Sequence, residues 1–241
     1  MRRLIILILL LLITSCSNIK PEPTTSWNRA DHSEIDGIVE IATGWANSHL
    51  CTGSLIRNDM VLTAAHCAVF PAEDLHIVYG CNDIDNRSCQ RVPVQNVFLH
   101  PKWDMDFLST NDIAIIIPAE PIPLKLAQIS PRKTLPEGLS VKAVGFGRRN
   151  GDSGVLYAGR GRITTDYQYE LVAHMNGSLD PNPGDSGGPL LIMDNGRFKI
   201  VGVLSRSKWR SVTKEQTFVH SGHAIYTKPI MYIDWINEVS P

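Results

Sequence analysis

From Ile38 onward the apolar positions come in short runs separated by turn-forming residues, and almost nowhere at helical spacing. Runs of aliphatic and β-branched residues bounded by Gly, Pro, Asn, Asp and Ser predict strands. The first half of the chain carries them at 38–43, 52–56, 60–63, 76–79, 91–100 and 113–117. A proline-rich crossing follows (Pro118, Pro121, Pro123, Pro131, Pro136), and the pattern resumes at 140–146, 159–165, 170–173, 189–193, 198–205 and 224–227. This series predicts an all-β chain built as barrels or sandwiches, not alternating βαβ units. One helix is predicted, over 229–239, with proline in its first turn and Ile230, Ile233, Trp235 and Ile236 on its buried face. No repeat of solenoid period is visible.

The N-terminus follows another pattern. Met1-Arg2-Arg3 precedes an apolar stretch, 4–13, that is too short to span a bilayer, so 1–15 reads as a secretory signal peptide. Ile13-Thr14-Ser15-Cys16 is similar to a bacterial lipobox, in which an aliphatic residue and two small ones precede a cysteine that takes the lipid. Cys16 is therefore the expected lipidation site. An ordinary cleavage site with an incidental cysteine is the alternative. The polar stretch 16–33, with Pro21 and Pro23, reads as a tether. Ser17 stands where an aspartate would favour inner-membrane retention, which points to an outer-membrane lipoprotein facing the periplasm or the surface. Release as a secreted protein is the other expected destination.

The 241 residues suffice for one large domain or two small ones, and a hydrophobic content of 43% supports a sizeable core. A net charge of −1, with both signs scattered, argues against a nucleic-acid partner. Of five cysteines, lipidation of Cys16 would leave four. Zinc is a rival use for four cysteines, but no C-x₂-C pair exists. Cys81 and Cys89 bracket a polar loop that they could close as a bridge, which an oxidising envelope would permit.

Three segments carry chemistry. Gly184-Asp185-Ser186-Gly187-Gly188-Pro189 puts a serine on a glycine-flanked turn just before an apolar run. A serine hydroxyl needs a base to take its proton and N–H donors for the oxyanion that follows. Leu62-Thr63-Ala64-Ala65-His66-Cys67 supplies a histidine after a strand, and Asn111-Asp112-Ile113 an acid leading into one. Each alone has a bland reading: a turn, a structural histidine, a strand-start cap. Together they give base, orienting acid and nucleophile in the chain order His, Asp, Ser.

On these segments, and on matching blocks from about Ile38 to the C-terminus, the chain resembles the trypsin/chymotrypsin family of serine endopeptidases. The resemblance implies two six-stranded antiparallel β-barrels, expected over 34–123 and 124–241, with a terminal helix and a cleft between the barrels. It implies His66 as general base and then general acid, Asp112 as the residue orienting it, and Ser186 as nucleophile. The N–H groups of Gly184 and Ser186 would form the oxyanion hole, and Cys51 and Cys67 would pair around the histidine loop. Asp180, six residues before Ser186, stands where the family's trypsin-like members hold an acid for a substrate Lys or Arg. The bland reading is that it caps a surface turn. Ser207 and Ala224 replace two pocket glycines and would narrow the slot, while Ser205 would lie behind the triad with its backbone along the substrate.

Two departures stand out. The pocket-wall cysteine of the family is missing, because Pro181-Asn182-Pro183 fills that gap. Family zymogens also free an Ile-Val-Gly-Gly-like N-terminus whose amine pairs with the acid before the serine, here Asp185, and no such motif exists. Ile38-Val39 fits the first barrel strand better. Either a later cut occurs, for instance after Arg29, or Asp185 has another partner. Protein or peptide substrates are expected, with a membrane contact through the lipid anchor, as a monomer. A protease-like binding protein without turnover is the alternative function. No cofactor or metal is expected: His220 and His223 read as a solvated Ser-Gly loop, and Asp83 and Asp85 form no convincing calcium ligand set.

Overall fold

The computed structural model describes residues 27–44, 48–85, 88–105, 110–149, 151, 153–175, 181–211 and 218–240. The short strand β1 (Asn28–Arg29) precedes β2 (Ile38–Thr43), β3 (Ser48–Arg57), β4 (Met60–Thr63), β5 (Leu75–Tyr79), β6 (Gln90–Leu99) and β7 (Ala114–Pro118). The six strands from β2 to β7 close into an antiparallel barrel in the order β2-β3-β4-β7-β6-β5. Closure leaves no strand edge open, which a free sheet of this length would have to protect. β7 is buried along its whole length, as its sequence Ala-Ile-Ile-Ile-Pro requires.

After β8 (Gln128–Ile129) come β9 (Ser140–Gly145), β10 (Tyr157–Asp166), β11 (Glu170–Met175), β12 (Pro189–Asp194), β13 (Arg197–Ser211) and β14 (Phe218–Thr227). The last six form a second barrel, β9-β10-β11-β14-β13-β12, closed by the β9–β12 and β9–β10 pairings. β1 and β8 flank it, pairing with β10 and β13. The chymotrypsin-like pair of six-stranded barrels is therefore present.

Several boundaries differ from the sequence reading. β3 begins at Ser48, β13 runs to Ser211, and β14 begins at Phe218, all well beyond their apolar runs. Ladder pairing carries these ends, and period-2 patterning does not register it. His220 and His223 accordingly lie on β14, not in a solvated loop. Residues 28–29, read as part of the tether, pair with β10. The terminal helix is shorter than predicted: a 3-10 turn over Pro229–Tyr232 leads into α1 (Ile233–Glu238). Its buried residues are Pro229, Tyr232 and Ile236, with Ile230, Ile233 and Trp235 only partly covered.

Both barrels have apolar interiors. One cluster holds Val141, Ile163, Leu171, Leu190, Val201 and Tyr226 inside the second barrel. The other fills the first barrel and continues through Phe146 and Val203 to Tyr232 and Ile236, which fastens the two halves together. Each fully buried Ile or Leu there stabilises the fold by about 1.5–3 kcal/mol. His100, just past β6, meets Tyr232 and Trp235 edge-on at 5.0 Å, so the terminal segment docks on the first barrel.

Candidate active site

β4 ends at Thr63, and Ala65–Cys67 form a single 3-10 turn that presents His66 half-exposed at the barrel mouth. The turn is tied down by the Cys51–Cys67 disulfide, with Cα atoms 5.9 Å apart. Asp112 follows Asn111, whose left-handed backbone (φ 68°) turns the chain into β7. Asparagine is among the few side chains that tolerate that conformation. Asp112 is buried, and its carboxylate takes three donors: His66 N–H at 3.1 Å, His66 Nδ1 at 2.8 Å and Ser205 Oγ at 2.7 Å. Thr227 Oγ1 donates to its main-chain carbonyl at 3.0 Å. Burial pushes the Asp112 carboxyl pKa up, but the hydrogen bonds and charge of His66 and the Ser205 bond outweigh it, leaving the group below the usual aspartate range. A carboxylate so held accepts from Nδ1–H and leaves Nε2 as the free acceptor.

Ser186 sits on the turn between 181 and 188. Its shape follows from a set of inward-facing carbonyls. Pro183 C=O accepts from Arg148 N–H at 3.1 Å, and Asp185 C=O from Gly188 N–H at 2.9 Å. In a planar trans peptide the N–H points opposite to the C=O. The N–H groups of Gly184 and Ser186, which share those two peptides, therefore face away from the support and donate to no backbone acceptor among the described residues. Gly184 needs its glycine, with φ at 101°, and Gly187 has both φ at 77° and Thr63 Oγ1 where a Cβ would go. The first barrel clamps the turn through Thr52: its N–H donates to Ser186 C=O at 2.8 Å, and its hydroxyl to Gly184 C=O at 2.8 Å. No hydrogen bond joins Ser186 Oγ to His66 Nε2 among the described residues. Such contacts commonly tighten only when substrate is bound.

Asp185 points inward, away from the cleft. Its carboxylate accepts from Gly147 N–H at 2.9 Å, Asn182 N–H at 2.8 Å, Arg149 Nη1 at 3.0 Å and Arg149 Nη2. Of the two possibilities left open by the sequence, the structure thus contains another partner for Asp185.

On β13 and β14, Ser207 pairs with Ala224 in register, and Ala224 is fully buried. Arg206, between Ser205 and Ser207, makes a two-pronged ion pair with Glu170 at 2.8 and 3.2 Å. Asp180, the expected floor of the pocket, lies outside the described residues, as does Cys16. The donor atoms of Cys51, His66 and Cys67 lie within 4.8 Å of one another, but the two sulfurs are bonded to each other and offer no thiolate. Cys81 and Cys89 are likewise joined, so none of the four takes zinc.

Sequence reasoning missed Thr52, Arg149 and Trp27. Thr52 is only the first residue of the strand predicted over 52–56, and Arg149 lies past the strand predicted over 140–146. Nothing local marks either, because their partners are 132 and 36 residues away.

A family model described as Trypsin matches residues 28–236. Among curated proteins, chymotrypsin-C of Bos taurus is 31% identical over 215 residues, covering 79% of this chain and 78% of that one. Chymotrypsin-like elastase family member 1 of Homo sapiens is 26% identical over 230 residues, covering 83% and 85%. Chymotrypsin-C of Rattus norvegicus is 31% identical over 217 residues, covering 79% and 78%.

Proposed function

Because the chain belongs to the trypsin family of serine proteases, we propose that it cleaves peptide bonds with Ser186 as nucleophile, His66 as base and Asp112 as the orienting acid. The observation that carries this reading is the His66 Nδ1–Asp112 contact at 2.8 Å, with Ser205 and Thr227 fixing the acid from the other barrel. Ser186 Oγ attacks the scissile carbonyl carbon as its proton passes to His66 Nε2, and the carbonyl π pair moves onto oxygen. The outward N–H groups of Gly184 and Ser186 receive that oxyanion. The C–N bond then breaks, with the His66 proton going to the leaving amine. Water attacks the acyl ester with His66 again as base, releasing the acid and restoring Ser186. This is the division of labour of the family's triad.

The test is fluorophosphonate labelling and peptide turnover by the wild type, Ser186→Ala and His66→Ala. Both variants should lose at least about 1,000-fold in kcat. Wild-type protein that neither labels nor turns over would be a binding protein on this fold. Near-wild-type turnover by either variant would end the triad reading.

For specificity, the proposal is cleavage after Lys or Arg through Asp180, a carboxylate that without its cation is costly to bury. The Ser207–Ala224 pair supports a second reading, a shortened slot for small apolar side chains, because both positions carry a Cβ on facing strands. A P1-varied substrate series on the wild type and Asp180→Ser separates them. Preference for Ala or Val in both proteins favours the shortened slot. An Arg preference lost in Asp180→Ser favours the charged one. The two disulfides support export to an oxidising compartment. The intact mass of membrane-extracted protein tests lipidation of Cys16, and an unmodified Cys16 retained in the mature chain would refute it.

A further inference from the structure

We infer that Arg149, clamped by Trp27, holds the Ser186 turn in its working shape from within the folded chain, so that the protein needs no activating cut and its activity depends on keeping the Trp27 segment in place. The inference rests on the reading of Ser186 as nucleophile. It assigns Arg149 and Trp27 as positioning residues that touch no reacting atom.

Asp185 is 1% exposed and its carboxylate is saturated by the four donors already described, two of them from Arg149. The approach is close on the other side too, since a Cβ on Gly145 or Gly147 would overlap that carboxylate. No room remains for an incoming amine unless Arg149 leaves. The guanidinium itself lies against two rings: its carbon is 3.7 Å from the centre of the Trp27 ring and 5.5 Å from that of Tyr157. Arg149 Nη1 also donates to Gly147 C=O at 3.1 Å.

Trp27 is 4% exposed and belongs to the N-terminal segment, not to either barrel. Asn28 and Arg29 pair with Ala158 and Tyr157, and Ala30 N–H donates to Leu156 C=O at 2.9 Å. Gly159 makes the seat, because a Cβ there would stand 2.8 Å from the Trp27 ring. A cut after Arg29 would therefore detach the ring that covers Arg149. Its effect would be opposite in sign to zymogen activation: the cut would lower activity.

The two kinds of lock differ in pH response. An α-amine has an ordinary pKa of about 8 and a lysine ammonium about 10.4, whereas a guanidinium stays charged throughout. The experiment measures kcat and KM from about pH 6 to 10.5 for the wild type, Arg149→Lys, Arg149→Met, Trp27→Phe and Trp27→Ala, with Ser186→Ala as blank. The wild type is expected to keep a flat alkaline limb. Arg149→Lys keeps the charge and should recover activity to within about 10-fold near pH 7. Arg149→Met should fall about 100-fold or more, chiefly in kcat, as when an oxyanion donor is lost. Trp27→Phe should stay near wild type and Trp27→Ala fall about 10-fold.

Arg149→Met within about 3-fold of wild type, or a wild type that loses activity through the α-amine range at about pH 8–9, would overturn the lock. The wild-type profile decides alone where the Met variant does not fold. Trp27→Ala within about 2-fold would overturn the clamp. A wild type active only after trimming between 28 and 37 would overturn the inference and leave the proposed function standing. A wild type with no Ser186-dependent turnover in either form would remove the function, and the inference with it.

Discussion

Replacing Thr52 by Val tests how the first barrel sets up chemistry on the second. Thr52 is fully buried on β3, and its hydroxyl does two jobs. It donates to Gly184 C=O at 2.8 Å and accepts from Phe146 N–H at 3.0 Å. Valine keeps the shape and the β-branch that a strand favours, so the change removes little except those two bonds. Both backbone groups are then left buried and unpaired, at about 1–3 kcal/mol each, or roughly 2–6 kcal/mol together. The main-chain bond from Thr52 N–H to Ser186 C=O and the Thr63 bond to Thr52 C=O at 3.0 Å survive. The second effect is on catalysis. Without the hydroxyl, the Gly184–Asp185 peptide can rotate, and the N–H groups of Gly184 and Ser186 on the peptides either side of it no longer stand fixed where an oxyanion would develop. That interaction forms only in the transition state, so kcat should fall about 10- to 100-fold with KM nearly unchanged. Urea unfolding and steady-state kinetics on Thr52→Val and Thr52→Ser measure both. The serine variant restores the hydroxyl and should recover most of each loss. A Thr52→Val enzyme with kcat within about 2-fold of wild type, or with its loss confined to KM, would refute the reasoning.

Two further outcomes are expected. Lys228, with a side chain 2% exposed, donates to Lys133 C=O at 2.6 Å, Asp166 Oδ1 at 2.6 Å and Tyr167 C=O at 3.0 Å. Lys228→Met strands a largely buried carboxylate and should cost about 3–5 kcal/mol in denaturant melts, and under about 1 kcal/mol would refute it. Burial pushes the His32 pKa down, against the raising effect of its bond to Cys81 C=O and of the Asp31 charge. Burial and the Lys102 charge likewise push His100 down. Below the ordinary histidine value of about 6.5 the unfolded chain takes up protons first, so stability is full above that pH and declines as pH falls through the lowered folded values. His32→Gln should flatten part of that decline in unfolding curves taken from pH 7 downward, and an unchanged slope would refute the assignment.

The fold was legible because barrel strands are half-buried, and burial writes itself into the chain as short apolar runs. All the central strands, such as β4 and β7, were located that way. Strand ends such as β13 beyond Ser205 were not, since ladder pairing there leaves no apolar signature. The site was legible where chemistry needs a fixed local pattern, as with Gly184 and Gly187, whose backbone angles admit little else. It was illegible where the requirement is tertiary. The partner of Asp185 could have been a lysine, an arginine or a chain terminus anywhere in the protein, and the residues from 145 to 149 look like any glycine-rich loop. The helix was over-extended for a similar reason. Its apolar residues do repeat at helical spacing, but the first four form a tighter 3-10 turn that buries Tyr232 against the first barrel instead.

The hydrogen bonds that cross between the barrels fall largely on the site itself. Ser205 and Thr227, both from the second barrel, hold the side chain and main chain of Asp112, which belongs to the first. Thr52, from the first, holds Gly184 and Ser186, which belong to the second. Each half therefore holds candidate residues of the other, and neither barrel alone contains the proposed site. Arg149 extends the same logic to the N-terminal segment, because the turn that carries Ser186 leans on Asp185, Asp185 on Arg149, and Arg149 on Trp27. Changes far from the cleft along that line should then appear first in kcat, while the substrate contacts that govern binding remain where they were.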